Sequence, residues 1–390
     1  MPTIGRRTAI ATGLAALAAP QWALAADGTF TFGAIGTLSG GGTAWGLAIQ
    51  RGAGLAIDEV NQAGGLKVGD KTYRVADIMY DDQYTGQGGK SAAERLVYQD
   101  HVKFIVGPIG SNPVLSTIEV TTPAKVLVMG DGYTPAILKN PQHAPFNFRF
   151  TLTNLEYTPK MLAWVKANLP VKKVGILLPN DAIGQAVAPP LIKAYEDAGF
   201  EIVSETFERG SQEFTPMIAR LTAKGMDGFD VNFNAPGDAG LMVKQARDAG
   251  YDKIIYQMGG PGVPEVMEIA GEAAEGFLSY EMFDFSSPEG QKLTAAYNAK
   301  YGAGIINSQL PAFYNATKIL FEAIRRAGTI EDTTKVRDEV EKMQGYDAGV
   351  YGPLKWTGME TYGVNHQIAL PFFIVEVKGG KIAPRAKIQL

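Results

Sequence analysis

Short β-rich runs alternate with longer stretches of helical period along most of this chain, and the alternation occurs in two consecutive series. That is the pattern of parallel βαβ units, because a parallel strand can be reached only through a crossover, usually a helix. Strands are predicted at 30–35, 73–80, 103–107 and 126–129, then again at 173–178, 201–207, 229–233, 254–257 and 276–280. Most are followed by a Gly, Asp or Pro turn and a helix-like segment. A helix predicted over 43–62 puts Ala48, Leu55, Ala56 and Val60 on one face and stops at Gly64-Gly65, the residues a left-handed C-terminal cap needs. Helices are also predicted at 215–224 and 238–248, and 313–326 carries Phe313, Thr317, Leu320, Phe321 and Ile324 as one stripe before Gly328. The fold class is α/β, with two doubly wound lobes.

A length of 390 residues provides for two such lobes. Thirty-six basic against 40 acidic residues, with no basic block, give phosphate-backbone attraction no source, so nucleic acid is not an expected partner. The absence of Cys removes disulfides, thiolate nucleophiles and Cys-ligated metals. Residues 1–26 carry Arg6-Arg7, an apolar small-residue run over 9–19 and Ala23-Leu24-Ala25, which read as a secretory signal cleaved near Ala25. Ordinary export and the twin-arginine route stay open as alternatives. The expected location of the mature protein is a Gram-negative periplasm.

Doubly wound lobes place ligands outside the carboxyl ends of their strands. In a two-lobed chain those ends face a cleft. The loops concerned are 37–45, 81–88, 108–113, 130–135, 179–184, 232–238 and 259–264, rich in Gly, Ser, Thr, Asn and aromatic residues. Backbone N–H groups exposed by Gly, followed by helix N-termini, suit a carboxylate.

Enzyme motifs fail on inspection. Gly86-Gln87-Gly88-Gly89-Lys90-Ser91 approaches a phosphate-binding loop but has Tyr84 where the first Gly is required. No dinucleotide fingerprint or nucleophile elbow follows a strand. His101, His143 and His366 lack metal-ligand spacing and read as surface or structural residues. Asp81-Asp82 has no nucleophile placed with it, so a helix-cap or cleft-edge role is expected. Neither catalytic residues nor a cofactor or metal are expected.

Six segments, in order, resemble the bacterial leucine/isoleucine/valine-binding protein family, the periplasmic receptors of branched-chain-type ABC importers. They are Gly33-Ala34-Ile35-Gly36-Thr37-Leu38-Ser39-Gly40, Asp58-Glu59-Val60-Asn61-Gln62-Ala63-Gly64-Gly65, Tyr80-Asp81-Asp82, Val106-Gly107-Pro108-Ile109-Gly110-Ser111, Ala270-Gly271-Glu272-Ala273-Ala274-Glu275-Gly276 and Gly352-Pro353-Leu354-Lys355-Trp356. The resemblance spans about 30–377. It implies a Venus-flytrap fold, a periplasmic-binding-protein-like type I architecture, with three crossovers near Thr151, Phe283 and Tyr362. Lobe 1 is then 27–150 plus 284–361, and lobe 2 is 151–283 plus 362–390. It further implies a monomer that presents a small-molecule ligand to an inner-membrane permease.

The same resemblance implies site residues. Ser111, with Ile109 and Gly110 in its loop, matches a Ser that holds the ligand carboxylate. Gly132 with Tyr133 or Thr134 matches a second loop supplying a hydroxyl donor. Trp45 matches an aromatic residue covering the ligand. For Ser111 a plain helix N-cap is the alternative, and for Trp45 a core position. Amino-acid-binding members use a Glu for the ammonium and a Tyr beside it, where this chain has Pro261, next to Gly262, and Ala235, next to Asn234. Ile183 replaces a ligand-packing Tyr, and Gln309 an apolar contact. A family disulfide pair maps onto Tyr84 and Gly110, a large residue facing a small one, so Tyr84 fills that space or enters the cleft. An ammonium buried without its acid is costly, so a small aromatic or aliphatic organic acid is the expected ligand. Hydrophobic amino acids are the alternative, with Asp131, Asp238 or Glu281 as acids available from another direction. A ligand-sensing module without transport is a further alternative.

Overall fold

The computed structural model describes residues 26–140, 144–232, 234–260 and 262–388. The expected leader, His143 and Pro261 lie outside the described residues, as does the side chain of Ile183. The first β-rich run becomes β1 (Gly28–Gly36), whose period of two divides its side chains between two cores. Phe30, Phe32 and Ala34 join one core and Ile35 the other. Edge-on ring contacts fix the first set, Phe30 against Phe104 at 5.8 Å and Phe32 against Phe321 at 5.7 Å between centroids.

The chain continues through β2 (Leu66–Val68), β3 (Lys71–Asp81), β4 (Phe104–Ile109), β5 (Leu127–Asp131) and β6 (Asn147–Arg149). It then crosses to β7 (Lys173–Pro179), β8 (Glu201–Phe207), β9 (Gly228–Asp230), β10 (Ile254–Gln257) and β11 (Leu278–Glu281). Four more strands follow: β12 (Trp356–Thr357), β13 (Gln367–Ile368), β14 (Phe372–Lys378) and β15 (Lys381–Ile388). They form two sheets, of order β12-β13-β6-β5-β4-β1-β3-β2 and β15-β14-β11-β10-β9-β7-β8. The central pairings are parallel, and antiparallel strands occur at the edges. Strand order reverses at β1/β4 in one sheet and at β7/β9 in the other, which are the switch points where α/β sheets take ligands.

After β11 the chain returns to the first sheet, where the long Gln309–Ala327 helix buries Phe313, Leu320, Phe321 and Ile324 and ends at Gly328, φ 65°. The third passage differs from the expected one near Tyr362. Tyr362 packs with Val114, Ile118, Ile137 and Leu138 of the first lobe. Beyond it, β13 pairs in parallel with β6, and the Arg149 N–H donates to the His366 carbonyl at 2.8 Å. The exposed edge of β6 needs a partner for its backbone groups, so 362–368 stays with lobe 1 and the passage falls at 369–371.

The glycine-rich stretch after Tyr84 is a helix start: Thr85 caps the Gly86–Glu94 helix by accepting the Gly88 N–H at 2.9 Å. His366 stacks on Phe148 at 3.9 Å and contacts the Asn147 carbonyl and Glu341 at 3.0 and 2.9 Å, a structural position. Among the described residues no cluster of potential metal ligands occurs, and no helix is long and apolar enough to cross a membrane.

Candidate ligand-binding site

The carboxyl ends of β1, β3, β4 and β5 converge on one small cavity. Trp45, Tyr84, Ile109, Gly110, Ser111, Asp131, Gly132, Tyr133 and Gln309 line it, and its volume is about 20 Å³. That is room for about one water. Eight of these nine are residues the sequence singled out as contacts, and the ninth, Asp131, is one of the three acids named as alternatives.

Gly110 follows β4 with φ 99°, a conformation that favours glycine. A Cβ there would lie 2.5 Å from Cε2 of Tyr84, so the large residue does sit over the small one. Gly110 is the N-cap of the Ser111–Thr121 helix and Ser111 its first helical residue, without a side-chain capping bond. The plain N-cap alternative therefore fails. Ser111 Oγ instead accepts the Thr134 N–H at 3.0 Å, which leaves its own proton to donate. The first-turn N–H groups beside it have no intrahelical acceptor. Of the two candidates in the second loop, Tyr133 lines the cavity. Thr134 stands behind it, its carbonyl accepting from Arg149 Nη2 at 3.2 Å.

Asp131, the last residue of β5, is buried in the cavity wall. Thr151 Oγ1 donates to its Oδ1, and Gln309 Nε2 to its Oδ2 at 2.9 Å. Burial pushes its pKa up to about 6, against the lowering pull of these two bonds and of Arg149. A carboxylate offers about four acceptor positions, so two are left for a guest. The other two acids are elsewhere. Asp238 lies near Gly41, where a Cβ on that glycine would be 2.9 Å from Oδ1, and Glu281 faces the Val263 N–H at 3.4 Å.

The loop after β3 aims Tyr84. Gln83 and Tyr84 both have left-handed backbones, φ 52° and 57°, a strained state for residues other than glycine. Asp81 and Asp82 offset the strain by accepting the Gln83 and Tyr84 N–H groups, each at 2.8 Å. Asp82 also takes the Thr37 hydroxyl at 2.7 Å, and Asp81 the Leu38 N–H at 2.8 Å. The paired acids thus brace two cleft-edge loops. Trp45 meets the Tyr84 ring at 5.6 Å and belongs to both the core and the cavity wall.

The second lobe closes over this wall. Tyr133 Oη contacts Tyr280 Oη at 2.9 Å and accepts the Gly260 N–H at 2.9 Å. The Gly237 N–H reaches the Gly41 carbonyl at 3.3 Å, backbone against backbone. Arg209, in the loop after β8, lies over the Tyr84 ring with its guanidinium carbon 5.1 Å from the centroid. Burial works against its charge, but Asp181, bonded to Nε at 2.7 Å, and Asp238 hold its pKa above the usual value.

Several expected contacts are not on the cavity wall. The Asn234 amide donates to the carbonyls of Leu177, Val231 and Asn232 at 3.2, 3.1 and 3.1 Å, so it holds its own loop together. Ala235 is a buried N-cap of the Pro236–Asp248 helix, and Gly262 the N-cap of the Val263–Ala270 helix. Ile183 lies in the first turn of the Ala182–Asp197 helix. The sequence reading missed Arg209 and Tyr280. Arg209 sits at a strand's carboxyl end, in the loop after β8, outside the seven loops named from the sequence.

Residues 29–381 match the periplasmic binding protein family. The chain belongs to that family. Its members are solute-binding proteins and not enzymes. This binding protein is 27% identical over 312 residues to the leucine-, isoleucine-, valine-, threonine- and alanine-binding protein of Pseudomonas aeruginosa, covering 79% of this chain and 81% of that one. It is also 27% identical to a Leu/Ile/Val-binding protein of Rhizobium johnstonii, over 96% and 98% of the two chains. Its fold matches a leucine-binding protein of Thermotoga maritima with TM-score 0.80 at 22% identity, covering 93% and 99%. A solute-binding protein of R. palustris in complex with benzoate shares it with TM-score 0.78 at 19% identity, covering 92% and 96%.

Proposed function

We propose that this binding protein is the periplasmic receptor of an ABC importer and that its ligand is a small organic acid bearing an amine, an amino acid in the simplest case. The carboxylate is taken by the Ser111 hydroxyl and the N-terminus of the Ser111–Thr121 helix, where backbone N–H groups and the helix dipole favour an anion. The ammonium is taken by Asp131. The observation that carries the reading is this buried carboxylate in the cavity wall with accepting capacity to spare. A bare carboxylate about 4 Å from it would be opposed by roughly 4 kcal/mol at an effective dielectric of about 20, whereas an ammonium gains by a similar amount. Asp131 thus supplies, from a strand end, the acid missing at Pro261. Relatives that bind branched-chain amino acids agree with this reading.

A second reading, an aromatic acid without an amine, is favoured by the Trp45, Tyr84 and Tyr133 rings around the cavity and by the benzoate-bound neighbour of the same fold. It requires Asp131 to be protonated in the complex. Calorimetric titration of wild type and Asp131→Asn with leucine and benzoate separates the two. The amino-acid reading expects leucine affinity to fall roughly 100-fold or more in the variant, as for a buried pair that loses one partner. If benzoate binds the wild type more tightly as pH falls from 7 to 5.5, and binds the variant equally well or better, the amine-bearing ligand is excluded.

A further inference from the structure

Arg209 presents two nitrogens with nothing to hold. Its Nε is satisfied by Asp181 at 2.7 Å, yet Nη1 and Nη2 are shut away from solvent and hydrogen-bond to no group among the described residues. Leaving a charged donor buried and unpaired is among the costlier states a polar group can adopt. Arg149 also has unpaired nitrogens, but it lies beneath the Tyr362 ring inside its own lobe, where the adjoining void has essentially no volume. Arg209 is placed differently. It belongs to the second lobe and faces the Tyr84 ring of the first, across a junction that opens when the lobes part.

Tyr84 also lines the site. The cavity beside it holds about 20 Å³, whereas small-molecule pockets measure roughly 300 Å³ or more. A guest must therefore take space now held by the cleft side chains. Tyr84 is the one carried on a strained left-handed backbone, and withdrawing its ring uncovers the guanidinium.

Resting on the receptor reading above, we infer that Arg209 is a specificity-determining contact, its two terminal nitrogens receiving a second anionic group at the end of the ligand remote from Ser111. The ligand class this selects is a small compound with carboxylates at both ends: an acidic amino acid under the first reading above, or a dicarboxylic aromatic acid under the second. A planar guanidinium with two free donors matches a carboxylate in bidentate fashion.

The test uses pairs of probes of equal shape that differ in one charge: glutamate against glutamine, and terephthalate against 4-carbamoylbenzoate. Leucine and benzoate report on the receptor reading itself. Affinities are measured by calorimetry on wild type, Arg209→Gln and Arg209→Lys, with melting curves to establish that each variant is folded. In wild type the diacid of at least one pair binds at least about tenfold more tightly than its amide. Arg209→Gln brings that ratio to about one while the amide's own affinity holds, and Arg209→Lys keeps part of it. Equal binding of acid and amide to wild type, or a preference that survives in folded Arg209→Gln, overturns the role of Arg209 and leaves the receptor reading standing. If none of the six probes binds, both fail together.

Discussion

Ser111 and Asp131 show how much one residue's role depends on where its neighbours put it. Ser111 is legible because its loop, Val106 to Ser111, carries the family resemblance, and the structure places the residue on the cavity wall. Less legible was the bond its Oγ accepts from the Thr134 N–H, which ties the two site loops together. Ser111→Ala is therefore expected to lower ligand affinity by about 1 to 3 kcal/mol and also to lower the melting temperature by a few degrees, since a buried N–H loses its acceptor. Calorimetry and a melting curve on the same preparation check both, and unchanged affinity would remove Ser111 from the site. Asp131 could be named from sequence only as one of three acids. Asp131, Asp238 and Glu281 all end strands or open helices, and only the approach of Gln309, 178 positions away, shows which one the cavity receives. No periodicity carries that information.

Among elements, long segments with a clear period were readable and short ones were not. The helix expected over 43–62 and the strand over 201–207 occur at those bounds, because their apolar spacing and terminal glycines or turns are local signals. The two-residue strands β12 and β13 have no period to detect; they exist because the edge of β6 offers backbone groups that need partners. That is why the sequence puts the third passage near Tyr362, some seven residues before the point where β13 ends and the chain crosses. The element of greatest consequence for closure is the loop carrying Tyr133, whose hydroxyl meets both Tyr280 and the Gly260 N–H across the cleft. Tyr133→Phe removes both contacts at once. Ligand affinity is expected to fall about five- to tenfold, and small-angle scattering of the ligand-free protein should show a larger radius of gyration. An unchanged radius would mean that this loop does not hold the lobes together.

The whole molecule carries an unusual set of buried acids. Burial raises Asp82 and Asp131 from 3.8 to about 6, Asp230 from 3.8 to about 7, and Glu265 and Glu281 from 4.5 to about 7. A carboxyl raised on folding binds more protons in the native than in the unfolded state between its two pKa values. Its stabilising contribution is full below the unfolded value and is lost as pH rises through the folded one. Acids lowered by partners, such as Glu205 beside Lys224 and Arg220, act below pH 5 and leave the range above it undisturbed. The melting temperature is therefore expected to fall by a few degrees from pH 5 to pH 8, and a curve that rises over that range would contradict the burial of these groups. The large features that made this molecule recognisable, two wound sheets with a cleft between them, follow from patterns spread over many residues. The charge arrangement inside the cleft depends on contacts between distant segments, which a linear reading cannot rank.

Where Gly41 meets Gly237, the jaws touch with no side chain between them. An added methyl on Gly41 would come within 2.9 Å of the Asp238 carboxylate, although the position itself does not need a left-handed backbone. Gly41→Ala should therefore act as a doorstop: harmless to each half on its own, yet enough to keep the mouth ajar. Such a protein would melt like the parent when empty but gain little thermal protection from any solute. The smallest residue in the chain would then be the one that sets how completely the trap can shut.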